Sequence, residues 1–300
     1  MSEIAASPTT RRFAAENGVD LDALGREIGA DTISKSDVAR KLAGTSAPTL
    51  KPTSHLSYWA VDHSTYGQVV AQKRTRMEKV ADANLTAAQH VIPSVTHHDR
   101  ADMSEIEAIR QRLKPEAAVL GVKLTALAFH AKALASCLAL FPRFNASLSA
   151  DGETLWLKQF FHIGIAVDTP FGLMVPVLRD VDKKGLLAIA SEISELAQRA
   201  QDRKLRPKDM GGASMSISNL GGIGGTAFTP IINPPEVAIM GLARTEMQPI
   251  WTGETFDPHP MVPLDLTYDH RVINGADAAR FMSHYTGLIA YPGRLVLPGL

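Results

Sequence analysis

Few side chains in this sequence are placed to do chemistry, and the foremost is an imidazole. His270 lies between Asp269 and Arg271 in the stretch LTYDHRVINGADAARF, residues 266–281. An imidazole titrates near neutral pH, so a histidine held at the end of a rigid strand and projecting into a cleft suits a general base. The bland alternative is a turn with a local Asp–Arg ion pair. A second polar group, Ser216, Ser218 and Asn219, closes an apolar run in MSISNLGGIGG. By residue type alone Ser218 is a capping or turn hydroxyl. Gly221, Gly222, Gly224 and Gly225 follow it, but no GxxxxGK[ST] pattern accompanies them, and they read as close backbone packing more than as a phosphate cradle. The pair His97-His98 lacks a third and fourth ligand at metal spacing, so no metal site is expected.

These residues need rigid elements behind them. Val262, Leu264, Leu266 and Tyr268 alternate with other residues, which predicts a half-buried strand over 261–268 that delivers His270 at its end. Phe281, Tyr285 and Leu288 recur at helical spacing, and Asn274 stands where it can cap that helix. Upstream, 73–87 predicts a helix with Met77, Val80, Ala81 and Leu85 on one stripe, and 90–99 a strand. Asp102 with Glu105 resembles a capping-box start for a helix through Leu113. Residues 124–140 form a nearly all-apolar helix that must be buried, with Cys137 as a small core residue within it. Strands at 162–167 and 173–178 flank the turn Asp168-Thr169-Pro170-Phe171-Gly172, predicting a hairpin. Leu186, Ile189, Ile193, Leu196 and Ala200 mark a further helix, and strands at 214–218 and 236–242 flank the glycine-rich loop. Alternating strands and helices from 58 to 300 predict one α/β (α+β) domain around a central sheet.

Ahead of that domain, residues 1–6 read as a tail and 7–43 as a compact helical unit. Ser7-Pro8 is a helix start, Asn17-Gly18 a left-handed stop, and 34–42 a second short helix. Residues 44–57, rich in Ser, Thr and Pro, read as a linker. The composition is that of a soluble globular chain: 45% hydrophobic, 21% charged, with 31 basic against 31 acidic residues, so no electrostatic case exists for a nucleic-acid partner. The single cysteine rules out an intrachain disulfide framework, no apolar run reaches membrane-spanning length, and a cytoplasmic location is expected.

Several of these stretches together resemble the core acyltransferase components of the 2-oxo acid dehydrogenase complexes, with most similarity to the pyruvate-type members. DHRVING resembles the family's DHRxxDG signature, HIGIAVDTPFGLMVPV its sheet hairpin, and SISNLG its T-I-S-N-L-G segment. The resemblance implies a chloramphenicol-acetyltransferase-like core with a mixed central sheet, in which His270 is the catalytic base and Ser218 the oxyanion donor. Asn274 stands where the family usually has Asp and is expected to orient neighbouring groups. It implies acyl exchange between dihydrolipoamide and coenzyme A at a site shared between subunits of a trimer or larger core, with no tightly bound cofactor. Residues 7–43 resemble the family's peripheral subunit-binding domain, with Arg11 and Arg12 on its partner-binding pattern for the E1 and/or E3 dehydrogenase components. The stretch from Gly25 to Thr32 departs from that domain's glycine-rich turn. No lipoyl-type lysine hairpin occurs in the sequence, so the lipoyl group is expected from another chain. Two other readings stay open: a structural core subunit without turnover, and a free-standing acetyltransferase that uses coenzyme A.

Overall fold

The computed structural model describes residues 5–28, 32–42 and 61–296, and the chain divides into two units, Met1–Gln72 and Lys73–Leu300. The linker expected at 44–57 and the last residues, 297–300, lie outside the described residues.

In the first unit Ser7 caps helix α1, Pro8–Glu16, its Oγ accepting the Thr10 N–H at 3.2 Å, while Pro8 takes a position where no N–H is missed. Gly18, at φ 66°, ends the helix. The N–H of Val19 reaches the Ala14 carbonyl at 2.9 Å and that of Gly18 reaches Ala15 at 3.3 Å, the Schellman arrangement. Ala5–Ala6 (β1) pairs in parallel with Thr32–Ile33 (β2), so the expected tail carries a strand. Gly25 to Ile28, expected in a loop, belong to helix α2, Leu21–Ile28, which starts where Asp20 Oδ1 accepts the N–H groups of Asp22 and Ala23 at 2.9 and 3.2 Å. With α3, Lys35–Leu42, the described residues hold three helices here, not two. Ala14, Leu24, Ile33 and Val38 are the buried core. So small a core supplies little stability.

The second unit is built on one mixed sheet. Its strands are β3 (Ser94–Asp102), β6 (Ile163–Ile165), β7 (Val177–Leu178), β8 (Met215–Asn219), β9 (Ala238–Leu242), β10 (Glu246–Trp251) and β11 (Phe256–Asp269). A separate hairpin joins β4 (Ala146–Leu148) to β5 (Leu155–Leu157). β11 is the spine: β3 pairs with it antiparallel, as do β9 and β10, and β9–β8–β6 continue in parallel before β7 turns back. Ile217, Met240, Leu264, Leu266 and Tyr268 point to one face and are at most 2% exposed. Helices α5 (Ser104–Val119), α6 (Ala126–Leu140), α7 (Leu186–Gln201) and α8 (Gly275–Ala290) pack with the sheet and with one another around that core. α6 is buried as its composition requires, and His130 inside it bonds the Tyr285 hydroxyl of α8 at 2.8 Å. Burial pushes the His130 pKa down to about 4, so the link is made by a neutral ring.

Three expectations move. The helix expected at 73–87 is α4, Arg76–Val91, and it runs through His90, whose Nδ1 meets the Thr86 carbonyl at 2.8 Å; Pro93 bars a longer helix, and the strand begins at Ser94. Asp102 does not cap through Glu105; its Oδ1 holds the Ser104 N–H and hydroxyl at 2.8 and 2.6 Å, and α5 continues past Pro115 to Val119. β11 starts five residues earlier than the alternation predicts, because Pro258 and Pro260 disguise a strand paired there with β10.

Candidate active site

His270 is where the alternation places it, one residue beyond β11, exposed in a turn. The turn is held from several sides. The Asp269 N–H reaches the Val237 carbonyl at 2.8 Å and the His270 N–H that of Pro93 at 3.1 Å; Arg143 donates through Nε and Nη2 to the Val272 carbonyl at 2.9 and 2.8 Å. Asp269, 2% exposed, does not orient the imidazole. Both its oxygens take the Arg271 guanidinium, Oδ2 accepting from Nη2 at 2.7 Å, and that carboxylate raises the Arg271 pKa further. Thus the Asp–Arg ion pair of the bland reading exists, and it stiffens the backbone that presents His270. The Tyr268 ring lies 5.8 Å from the imidazole, and burial raises its pKa. Asn274 caps α8, its Oδ1 accepting the Asp277 N–H at 2.8 Å.

Ser218 is half-buried near the carboxyl end of β8. In register it stands opposite Gly241, Gly241 opposite Asp265, and Asp265 opposite His98. Directly opposed residues project to one face, so Ser218, Asp265 and His98 share the face opposite the one packed by α5–α8. Gly241 is required there: a Cβ would fall 2.8 Å from Phe228 Cζ. The parallel strands put Ser218 level with Asp265, whereas His270 lies five residues further along β11, past the opposite end of β9. Two strand spacings across and five residues along separate them by roughly 15–20 Å. Within one chain the two residues do not meet.

Two polar groups on this face escaped the sequence reading. Glu236, 5% exposed, accepts from Ser216 Oγ at 2.9 Å and Asn233 Nδ2 at 3.1 Å, while its Oε2 is buried without a partner among the described residues. Burial pushes its pKa up to about 7 against the opposing pull of Ser216, Asn233 and Lys158. Gly164 makes the arrangement possible, since a Cβ there would collide with Ser216 Oγ. Asp265, 1% exposed, accepts from the Phe228 N–H at 3.1 Å and faces His98 Nδ1 at 2.6 Å. The only sequence signal was an acid interrupting an apolar alternation at Asp265 and an acid opening an apolar run at Glu236. Of the two expected partner-binding residues, Arg12 Nε pairs with Glu16 at 2.8 Å on the exposed side of α1 and Arg11 Nε reaches the Ala6 carbonyl at 3.3 Å.

Residues 67–297 match the 2-oxoacid dehydrogenases acyltransferase (catalytic domain) family. The chain is 45% identical to the dihydrolipoyllysine-residue acetyltransferase component of the pyruvate dehydrogenase complex of Cupriavidus necator, over 97% of this chain and 55% of that one. The corresponding Azotobacter vinelandii component is 43% identical, over 96% and 47%. The chain spans about half the length of the curated relatives it matches. Among solved structures, one concerns the role of a serine, a histidine and an asparagine in the catalytic mechanism of Azotobacter vinelandii dihydrolipoamide acetyltransferase; it is 48% identical, superposes with a TM-score of 0.77, and covers 79% of this chain and 98% of its own. Those three residues are separated by 52 and 4 positions, as are Ser218, His270 and Asn274. The cubic core of the pyruvate dehydrogenase multienzyme complex superposes equally, at 48% identity and a TM-score of 0.77 over 79% and 98%.

Proposed function

The chain belongs to the 2-oxoacid dehydrogenase acyltransferase family, and from that premise we propose that it exchanges an acetyl group between dihydrolipoamide and coenzyme A in the core of a pyruvate dehydrogenase complex. The observation that carries this reading is the trio Ser218, His270 and Asn274, at the spacing of the trio studied in the Azotobacter enzyme, on two rigid ends of one sheet.

Exchange between two thioesters is nearly thermoneutral, so the barrier lies in forming a thiolate and bearing an oxyanion. His270 takes the proton from the coenzyme A thiol, and the thiolate attacks the acyl carbon held on dihydrolipoamide. The Ser218 hydroxyl donates to the tetrahedral oxyanion. The C–S bond to the lipoyl sulfur then breaks, and the imidazolium returns its proton to that sulfur. Because Ser218 and His270 stand at opposite ends of the sheet, the site is completed by a second copy of the chain, and the working unit is a homotrimer or a larger core. Asn274 holds the helix behind the His270 turn and orders the polar groups around it.

The dihydrolipoyl group is carried on a lipoyl domain outside residues 1–300. Residues 7–43 act as the peripheral subunit-binding domain, with Arg11 and Arg12 on the surface that meets the dehydrogenase components. The enzyme works in the cytoplasm. The deciding experiment is acetyl transfer from acetyl-CoA to free dihydrolipoamide by the purified protein, read as thioester formation. Turnover is expected; a correctly assembled protein without it would leave a scaffold subunit as the better reading.

A further inference from the structure

The row Ser218–Gly241–Asp265–His98 contains more than the oxyanion donor needs. Beyond the Phe228 ring, which lies over Gly241, a cavity of about 360 Å³ opens between the sheet and the segment after the glycine-rich loop; His98, Arg100, Thr226, Gln248 and Asp265 help to line it. Both oxygens of Asp265 are committed, Oδ2 to the Phe228 N–H and Oδ1 to His98 Nδ1. A carboxylate only accepts, so in the neutral ring the proton is on Nδ1 and Nε2 carries the lone pair. The His98 side chain is 54% exposed although its partner carboxylate is buried. With the ring neutral, the pair presents an oriented hydrogen-bond acceptor, about three strand spacings (~14 Å) from Ser218 along one sheet row, with a half-buried aromatic ring between them.

We propose that His98, oriented by Asp265, is a contact for the arm of a thiol substrate, its Nε2 accepting a hydrogen bond from an amide N–H while the arm crosses Phe228 toward Ser218. This rests on the acyl-transfer reading of Ser218. Coenzyme A and dihydrolipoamide both carry the reacting sulfur at the end of a long flexible arm interrupted by secondary amides, and both meet the chemistry of this site. Anchoring the arm adds ground-state affinity and touches no reacting atom, so the effect belongs in KM and not in kcat.

The pair allows an isosteric test. In Asp265→Asn the side-chain oxygen stays with the Phe228 N–H, which leaves the amide NH₂ facing His98 Nδ1. Nδ1 must then accept, and the proton moves to Nε2, turning the acceptor into a donor. The double variant His98→Phe/Asp265→Ser removes the pair without leaving a buried carboxylate unpartnered. In assembled protein of unchanged size, both variants should raise KM for one thiol by roughly three- to tenfold while kcat stays within about twofold, and calorimetric Kd for the same thiol should rise alike. A rise confined to coenzyme A assigns the contact to its pantetheine arm; one confined to dihydrolipoamide assigns it to the lipoyl arm. Unchanged KM and Kd for both thiols, or a fall in kcat alone, overturns the proposal. Wild-type protein that binds coenzyme A without transferring acetyl refutes the catalytic reading but leaves the Kd comparison to judge His98. Protein that binds neither thiol refutes both.

Discussion

His270 and Ser218 have side chains that make no hydrogen bond among the described residues, and neither packs the core. Removing them should therefore cost chemistry and little stability. His270→Ala should lower turnover on the order of 10²–10⁴-fold in protein of unchanged assembly, measured by steady-state transfer beside sizing. Ser218→Ala should lower it by roughly 10²–10³ with KM for coenzyme A nearly constant. Equal turnover in either assembled variant would remove that residue from the mechanism. Glu236 is the opposite case, a buried acid with a stability signature. Its folded pKa, about 7, lies above the ordinary 4.5 because burial disfavours the charge. Its contribution is thus complete below about pH 4.5 and lost as pH rises through about 7, a difference of at most about 3 kcal/mol. Glu236→Gln should flatten the change in denaturant midpoint between pH 5 and pH 8, and a wild type equally stable at both would contradict the buried, proton-binding carboxyl. The alternation of its strand located His270, but the roles expected of His270 and Ser218 came from the motif resemblance, since by residue type alone they read as an ion-paired turn and a capping hydroxyl. Glu236 and Asp265 were not legible, because their partners lie on other strands or loops and only pairing in space distinguishes a satisfied buried acid from an exposed one.

At the scale of elements, legibility followed periodicity and capping. α7 and α6 were predicted within two residues because an unbroken helical stripe or an all-apolar run leaves one geometry. α2 was missed because Gly25 sits mid-helix, where propensity argues against it, and only packing of Leu24 into the small core overrides that cost. α4 carried the expected stripe, yet Val80 and Leu85 are 54% and 41% exposed, so the pattern identified the helix and not what covers it. The turn after β11 joins two elements through Asn274, which has both a capping role and a proposed orienting role. Asn274→Ala should destabilise the protein by about 0.5–2 kcal/mol through loss of the cap. Asn274→Asp keeps the cap and adds a charge that the helix N-terminus favours, so its thermal midpoint should match or exceed the wild type. Turnover then separates the roles: a residue that only caps leaves Asn274→Asp fully active, and one that orders the site by a neutral amide does not.

At the scale of the molecule the sheet has two functional ends. Parallel pairing of β8 with β9, and antiparallel pairing of β9 with β11, send Ser218 and His270 to opposite ends whatever the side chains do. The family resemblance implied a site shared between subunits, but the strand pairing that keeps the two residues apart within one chain was not legible from the residues themselves. On the proposed mechanism the pair is assembled from two chains, and a closed ring of identical chains then holds as many sites as chains, each with a histidine from one protomer and a serine from its neighbour. Mixing separates a shared site from an internal one. His270→Ala and Ser218→Ala should each be nearly inactive alone. Dissociated and reassembled at equal ratio, they place an intact histidine beside an intact serine in about one quarter of the sites, because each neighbour is drawn independently with even odds. Turnover should therefore return to about a quarter of the wild-type value on mixing, and only under conditions that exchange subunits. If each chain carried its own complete site, no mixture could exceed its components, and recovery would be absent at every ratio.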